Sequence, residues 1–312
     1  MTEDIISPVD KSLLEEEFNK SKFIRNTNYG HNEIYIVTST DSPNVMREIG
    51  RLREITFRKA GGGTGKSVDI DEFDFPPILY KQLVVWDPYD KEIIGGYRFI
   101  RCADAPKNEK GEYHLATAHL FKLSEKFIAD YMPYTIELGR SFVQPIYQPL
   151  IDQRRGLYSL DNIWDGLGAI VIDNPDIKYF FGKVTMYLNF NIKARDLILF
   201  FLHKYFPDKE NIVVPHKPRE IYTDKKELDK IFCSHRYYDD YKILVQNVRA
   251  LNENIPPLVN AYMNLSPSML TFGTALNDTF GDVEETGILV TISDIYDVKK
   301  ERHLLTYKKG DK

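Results

Sequence analysis

Thr135-Ile-Glu137-Leu-Gly139-Arg140-Ser-Phe142-Val143-Gln-Pro145 places a carboxylate and a guanidinium three residues apart on a strand-like run that stops at a proline. Side chains of a strand alternate between faces, so Glu137 and Arg140 share a face only if the backbone bulges between them. Gly139 is the expected seat of that bulge. The loop Gln153-Arg154-Arg155-Gly156-Leu-Tyr158 comes next, followed by an amphipathic helix with Ser159 as its expected N-cap. A splayed strand offers backbone amides to a carbonyl, and a helix N-terminus holds a phosphate. The two together suit a thioester carrier.

Working outward, residues 1–30 read as a polar arm with one short helix at Lys11–Lys22. A strand follows at Asn32–Thr38. Ser42-Pro43 then offers an N-cap and a proline at the first helical position, with Val45, Ile49, Leu52 and Ile55 at helical spacing behind it. Lys81–Trp86 and Glu92–Arg101 flank the turn Asp87-Pro-Tyr-Asp-Lys as a hairpin. Ala116–Tyr131 reads as a helix. In the helix from Ser159, the residues Leu160, Ile163, Trp164, Leu167, Ile170 and Val171 form one apolar face. A strand at Tyr179–Tyr187, helices at Lys193–Phe206, Tyr241–Ala250 and Pro256–Leu265, and a closing strand at Gly287–Asp294 complete the order. The expected fold is α/β (α+β): a mixed, partly antiparallel central sheet flanked by helices, in one domain over 31–312 with a C-terminal extension from about 207.

Hydrophobic residues make up 43% of the chain and charged residues 28%, values of an ordinary globular protein. A net charge of −5 argues against nucleic acid as the main partner. Cys102 and Cys233 are too few for a disulfide framework or a zinc cluster, and the histidines lack metal-ligand spacing, so a reducing, cytoplasmic compartment is expected. The N-terminus has no apolar signal segment, and no run approaches the roughly 18 apolar residues of a membrane span. Peripheral contact with the inner membrane face stays open.

Several motifs have a functional and a bland reading. Ala60-Gly-Gly-Gly-Thr-Gly65-Lys66-Ser67 fits a relaxed phosphate loop, but a helix precedes it and Asp69, Asp71 and Asp74 follow. A working phosphate loop follows a strand and opens a helix. A flexible, glycine-hinged lid is the better reading. His203 with Asp208 and His235 with Asp240 both fit the His-x4-Asp spacing of O-acyltransferases, and two matches in one chain show how cheap that pattern is. The acidic loop itself is either a solvated connection or a docking site for a cationic amine. Gly95-Gly96 inside a strand weakens it unless something approaches the backbone closely.

The loop Gln153–Tyr158 resembles the pyrophosphate loop of the GNAT superfamily of N-acyltransferases, with Tyr158 where glycine or alanine is usual. The ordered set Arg53-x3-Phe57-Arg58, Asp69-x-Asp71-x2-Asp74, Gly96-x-Arg98 and Glu137-Leu-Gly-Arg140 resembles acyl-homoserine-lactone synthases. It is closer to the acyl-carrier-protein-dependent N-acyltransferases, often labelled hemolysin-like, that make ornithine and glycine lipids. Phe181-Gly-Lys-Val-Thr185, Ile255–Tyr262 and Asn277-x2-Phe280 extend the resemblance, which spans roughly residues 45–295. The chain has glycines where the signalling synthases carry a tryptophan, which lowers the odds for lactone synthesis. It also has Ile198 where many N-acetyltransferases place a tyrosine acid.

The resemblance implies a GNAT-like sheet splayed at the carrier site and transfer of a (3-hydroxy) fatty acyl group from acyl carrier protein to the amine of glycine or ornithine. No permanently bound cofactor is implied; acyl-phosphopantetheine, on the carrier protein or as acyl-CoA, is the donor. Glu137 is the expected general base, with a salt bridge to Arg140 or Arg98 as its equal alternative. Arg98 or Arg140 would grip the acceptor carboxylate. Arg53, Phe57, Asp69, Asp71 and Asp74 would bind the acceptor. The amides of Phe142 and Val143 would hold the oxyanion, at ~3 kcal/mol per donor. Gln153, Arg154, Arg155, Gly156, Tyr158 and Ser159 would hold the donor's phosphate. Arg154, Arg155, Lys193 and Arg195 would meet an acidic carrier. Acetyl-CoA-dependent transfer to a small amine and lactone synthesis are the alternatives.

Overall fold

The β-branched and aromatic runs on either side of Asp87-Pro-Tyr-Asp-Lys pair as an antiparallel hairpin. A computed structural model of the chain describes residues 2–109, 111–148, 156 and 158–310. In chain order its strands are β1 (Phe23–Asn26), β2 (Glu33–Val37), β3 (Lys81–Asp87), β4 (Glu92–Arg101), β5 (Phe121–Leu123), β6 (Thr135–Val143), β7 (Tyr179–Met186), β8 (Val213–Pro215), β9 (Leu270–Asn277) and β10 (Val283–Thr291). The helices are α1 (Lys11–Glu17), α2 (Pro43–Ala60), α3 (Ser159–Asp173), α4 (Ile192–Tyr205), α5 (Lys225–Ile231), α6 (Tyr237–Ala250), α7 (Pro257–Met263) and α8 (Asp297–His303). They fall into two compact units, one of Met1–Ala116, Met132–Lys178 and Tyr296–Lys312, the other of Thr117–Tyr131 and Tyr179–Ile295.

In the first unit the strand order is β1-β2-β3-β4-β6, and each neighbouring pair is antiparallel. The expected polar arm supplies α1 and the edge strand β1. The helix stops at Glu17 rather than Lys22 because Phe18 turns inward, 4.7 Å from the rings of both Tyr35 and Trp86. Helix α2 buries Val45, Ile49 and Leu52 of the expected stripe, each worth about 1.5–3 kcal/mol, whereas Ile55 is half-buried. Gly61, with φ of 102°, closes the helix by donating to Arg58 and Phe57 carbonyls. Gly95 and Gly96 answer the close-approach condition. A Cβ on Gly95 would lie 2.3 Å from the Phe142 carbonyl oxygen, and one on Gly96 would lie 2.1 Å from that of Leu83.

The second unit carries the strand order β7-β10-β9 and a separate pair, β5 with β8, again antiparallel. Ala116–Tyr131, expected as a helix, holds β5 and a single π-helical turn at Phe127–Tyr131 instead. Phe121 and Phe127 are its anchors, both essentially fully buried, and Phe127 lies 5.1 Å from the Phe181 ring. Strand β9 was not anticipated, because Gly273 and the threonines around it dilute its apolar pattern. Asn191 caps α4 by accepting from the amides of Lys193 and Ala194. Among the described residues no helix is long and apolar enough to cross a membrane.

Candidate active site

Six of the charged residues singled out in the sequence, Arg53, Asp69, Asp71, Asp74, Arg98 and Arg140, meet in one buried network of the first unit. Gln82 lies opposite Arg98, and Arg98 opposite Gly139, so β3, β4 and β6 present these positions on one face. Arg53, fully buried in α2, reaches Asp74 at 3.5 Å and donates to the Gln82 side chain, which itself donates to Asp74 at 2.9 Å. Arg98 pairs with Asp71 and, at 3.2 Å, with Asp74. Arg140 pairs with Asp69 at 2.9 Å and Asp71 at 3.4 Å. The acidic loop is therefore not a solvated connection. It is the counter-charge to three guanidiniums.

Burial acts against every charge here, and the pairs decide the outcome. Burial lowers the Arg53 guanidinium from its usual range, against the pull of Asp74. It raises the Asp69 carboxyl, outweighing Arg140. For Asp71 burial is outweighed by Arg98 and Arg140, which hold it below the ordinary carboxylate range. Burial is likewise outweighed at Arg98, where Asp74 and Asp71 push the guanidinium up. Arg98 also lies 5.2 Å from the Tyr80 ring and 5.5 Å from that of Phe73.

Glu137 is buried on the same face, two residues before Gly139. Its carboxylate accepts from the Tyr80 hydroxyl and from the Ala116 amide at 3.3 Å. Burial and then Glu137 push the Tyr80 phenol well up, so it stays a donor. The bulge expected in this strand exists, but Gly139 does not carry it. Gly96 faces Phe142 and Arg98 faces Gly139, so Arg140 and Ser141 together oppose Tyr97. Arg140 takes the left-handed conformation (φ 50°) that glycine usually supplies at such a bulge. Its ion pairs to Asp69 and Asp71 offset a backbone cost of about 1–3 kcal/mol.

The Gln144 amide donates to the Ile94 carbonyl of β4 at 2.9 Å. By alternation the Val143 N–H is directed away from β4, whereas that of Phe142 is directed toward it. Of the two amides, that of Val143 is the one not directed at β4. Tyr158, not Ser159, is the N-cap residue of α3, and it makes no side-chain capping bond. Ser159 is the first helical residue, and its hydroxyl donates to the Tyr147 carbonyl at 2.9 Å. The Tyr158 ring stacks on Tyr29 at 5.0 Å. Gly156 is buried. Gln153, Arg154 and Arg155 lie outside the described residues.

The glycine-rich loop is not a lid. Glu54 of α2 accepts from the Thr64 amide at 3.0 Å, the Thr64 hydroxyl at 2.8 Å and the Gly65 amide at 2.8 Å. An internal carboxylate thus occupies the amides that a nucleotide phosphate would need. Glu3 adds a second tie, its amide donating to Gly65 and its carboxylate accepting from Ser67, both at 2.8 Å. Phe57 is buried within α2. Reasoning from sequence missed Tyr80, Gln82 and Glu54. Tyr80 and Gln82 flank the exposed Lys81 and so share a face, but only the fold shows that this face is that of Glu137 and Arg98.

A family model described as "Acetyltransferase (GNAT) domain" matches residues 52–150. A glycine N(alpha)-acyltransferase of Phocaeicola vulgatus is 55% identical over 98% of this chain and 94% of its own length. One from Bacteroides thetaiotaomicron is 53% identical over 98% of this chain and 90% of its own length. The solved structure of FeeM, an N-acyl amino acid synthase from uncultured soil microbes, matches 88% of this chain and 96% of that one. Its TM-score is 0.38 at 9% identity.

Proposed function

We propose that this chain, which belongs to the GNAT family of N-acyltransferases, transfers a (3-hydroxy) fatty acyl group from acyl carrier protein to the amine of glycine. Glycine is preferred to ornithine because both relatives more than half identical to this chain carry glycine N(alpha)-acyltransferase as their name. The observation that carries the chemistry is the buried Glu137 carboxylate set on one sheet face with Arg98 and beside the bulge that holds Arg140.

An amino acid's ammonium must lose a proton before its nitrogen can attack a thioester. Glu137 takes that proton, directly or through a water, while Tyr80 and the Ala116 amide fix the carboxylate's orientation. The nitrogen forms its bond to the thioester carbon, and the Val143 amide supports the oxyanion at ~3 kcal/mol. Collapse of the tetrahedral species expels the pantetheine sulfur, which takes the second proton from the nitrogen and leaves as the thiol. Arg98 and Arg140 hold the acceptor's carboxylate, with Asp71, the most exposed acid of the network at 22%, giving way to it. Arg53 and Asp74 are fully buried and keep the frame rather than touch a substrate. Arg154, Arg155 and the start of α3 receive the donor's phosphate. The product is a single-chain aminolipid, and contact of the enzyme with a membrane surface would serve its delivery.

Mass spectrometry of reactions containing glycine tests the donor. A 3-hydroxyacyl carrier protein gives N-acylglycine at a rate that acetyl-CoA does not approach. Equal or faster transfer from acetyl-CoA overturns the carrier-protein donor and leaves a small-substrate acetyltransferase.

A further inference from the structure

Glycines in the paired strands β4 and β6 differ in why they are glycine. At Gly95 and Gly96 a Cβ would collide with a neighbouring strand's carbonyl oxygen, at 2.3 and 2.1 Å. Gly139 has no such reason. A Cβ built there meets nothing within 4 Å, and its φ lies outside the left-handed region. Strand interiors disfavour glycine, which loses backbone entropy and contributes no packing. Neither conformation nor contact therefore calls for a glycine at this position.

Its place on the sheet explains it. Gly139 lies directly opposite Arg98, and Glu137 opposite Ile100, so these side chains leave the sheet on one face. Arg140, the next residue, turns through the bulge to Asp69 and Asp71. Gly139 stands about 6–7 Å along the strand from Glu137, faces Arg98 across the ladder and adjoins Arg140. Those are the groups that an α-amino acid would present to: amine toward Glu137, carboxylate toward Arg98 and Arg140.

We propose that Gly139 is the specificity-determining floor of the acceptor site, and that the unfilled space above it receives the acceptor's α-carbon. This rests on the assignment of glycine N-acylation above. Any side chain at position 139 projects into that space and displaces the acceptor from its two charged anchors, without disturbing the fold.

The test uses Gly139→Ala and Gly139→Val in the full chain, with steady-state kinetics varying glycine and acyl donor separately, beside thermal unfolding. The expected result is an unchanged or raised unfolding midpoint, a KM for glycine raised at least 10-fold in the alanine variant and further in the valine variant, and an unchanged KM for the donor. A wild-type KM for glycine in both variants overturns the floor. So does an equal loss toward both substrates, or a lowered midpoint in the alanine variant, since each marks a structural role. Failure of the glycine assignment is distinguishable, because the wild-type enzyme itself then makes no N-acylglycine.

Discussion

The Tyr80 hydroxyl donates to the Glu137 carboxylate, and both side chains are almost completely buried. A hydrogen bond to a charged partner contributes about 1.5–3 kcal/mol. Tyr80→Phe is therefore expected to lower kcat by about 10- to 100-fold with little change in the donor's KM, because the carboxylate loses its orientation rather than its charge. The phenol is pushed above its ordinary range, so it remains protonated as pH rises through 10. Wild-type activity should show no loss there that Tyr80→Phe abolishes; kinetics from pH 8 to 10.5 provide the check.

Asp74 touches Arg53, Arg98 and Gln82 with no exposure to solvent. Removing one partner of a buried ion pair leaves the other charge uncompensated, a cost of about 3–5 kcal/mol. Asp74→Ala should lose that much in urea unfolding. Loss of less than about 1 kcal/mol would mean that the guanidiniums are compensated elsewhere.

Glu54 binds two amides and a hydroxyl of the loop that leads to Asp69 and Asp71. Glu54→Gln keeps the shape but loses the charge-assisted bonds, and about 2 kcal/mol of local stability should go with them. Amide hydrogen exchange across residues 61–67 should accelerate roughly 10- to 100-fold. Unchanged exchange would show that Glu3, with Arg58 donating to the Lys66 carbonyl at 2.8 Å, holds the loop without it.

In the second unit Asp240 is held down to about 2 despite burial by bonds from Lys204, Tyr205 and Ser234. A carboxyl depressed in the folded state stabilises the fold above its ordinary value of 3.8, and that contribution is lost as pH falls toward about 2. Asp240→Asn should unfold more easily than wild type at pH 7, and the gap should narrow by about half at pH 3. A gap that is constant with pH would place the effect in packing rather than charge.

Much of this arrangement is legible in the sequence. The stripe of α2, the hairpin of β3 and β4 and the strand carrying Glu137 follow from periodicity and turn chemistry, which are local signals. Arg53, Asp69, Asp71, Asp74, Arg98 and Arg140 stand out as an ordered set in the sequence, and the fold brings them together in space. What sequence did not reveal was their mutual neutralisation, because ion pairing across 20 to 70 residues depends on register and not on spacing. The bulge shows the same limit. Gly139 was the natural candidate for the irregular backbone, yet Arg140 adopts it, since two aspartates from another segment hold that side chain. Ala116–Tyr131 misled because its apolar residues are anchored by contacts with β7 and β8 that no local window contains.

The most direct test of the account is product analysis with purified wild type and Glu137→Gln, each given a 3-hydroxyacyl carrier protein and saturating glycine. Wild type should yield N-(3-hydroxyacyl)glycine, and Glu137→Gln should lower kcat by about 10²- to 10⁴-fold, the worth of a positioned base, while the KM for the donor holds. Full turnover by Glu137→Gln, or no acylglycine from the wild type, would contradict it.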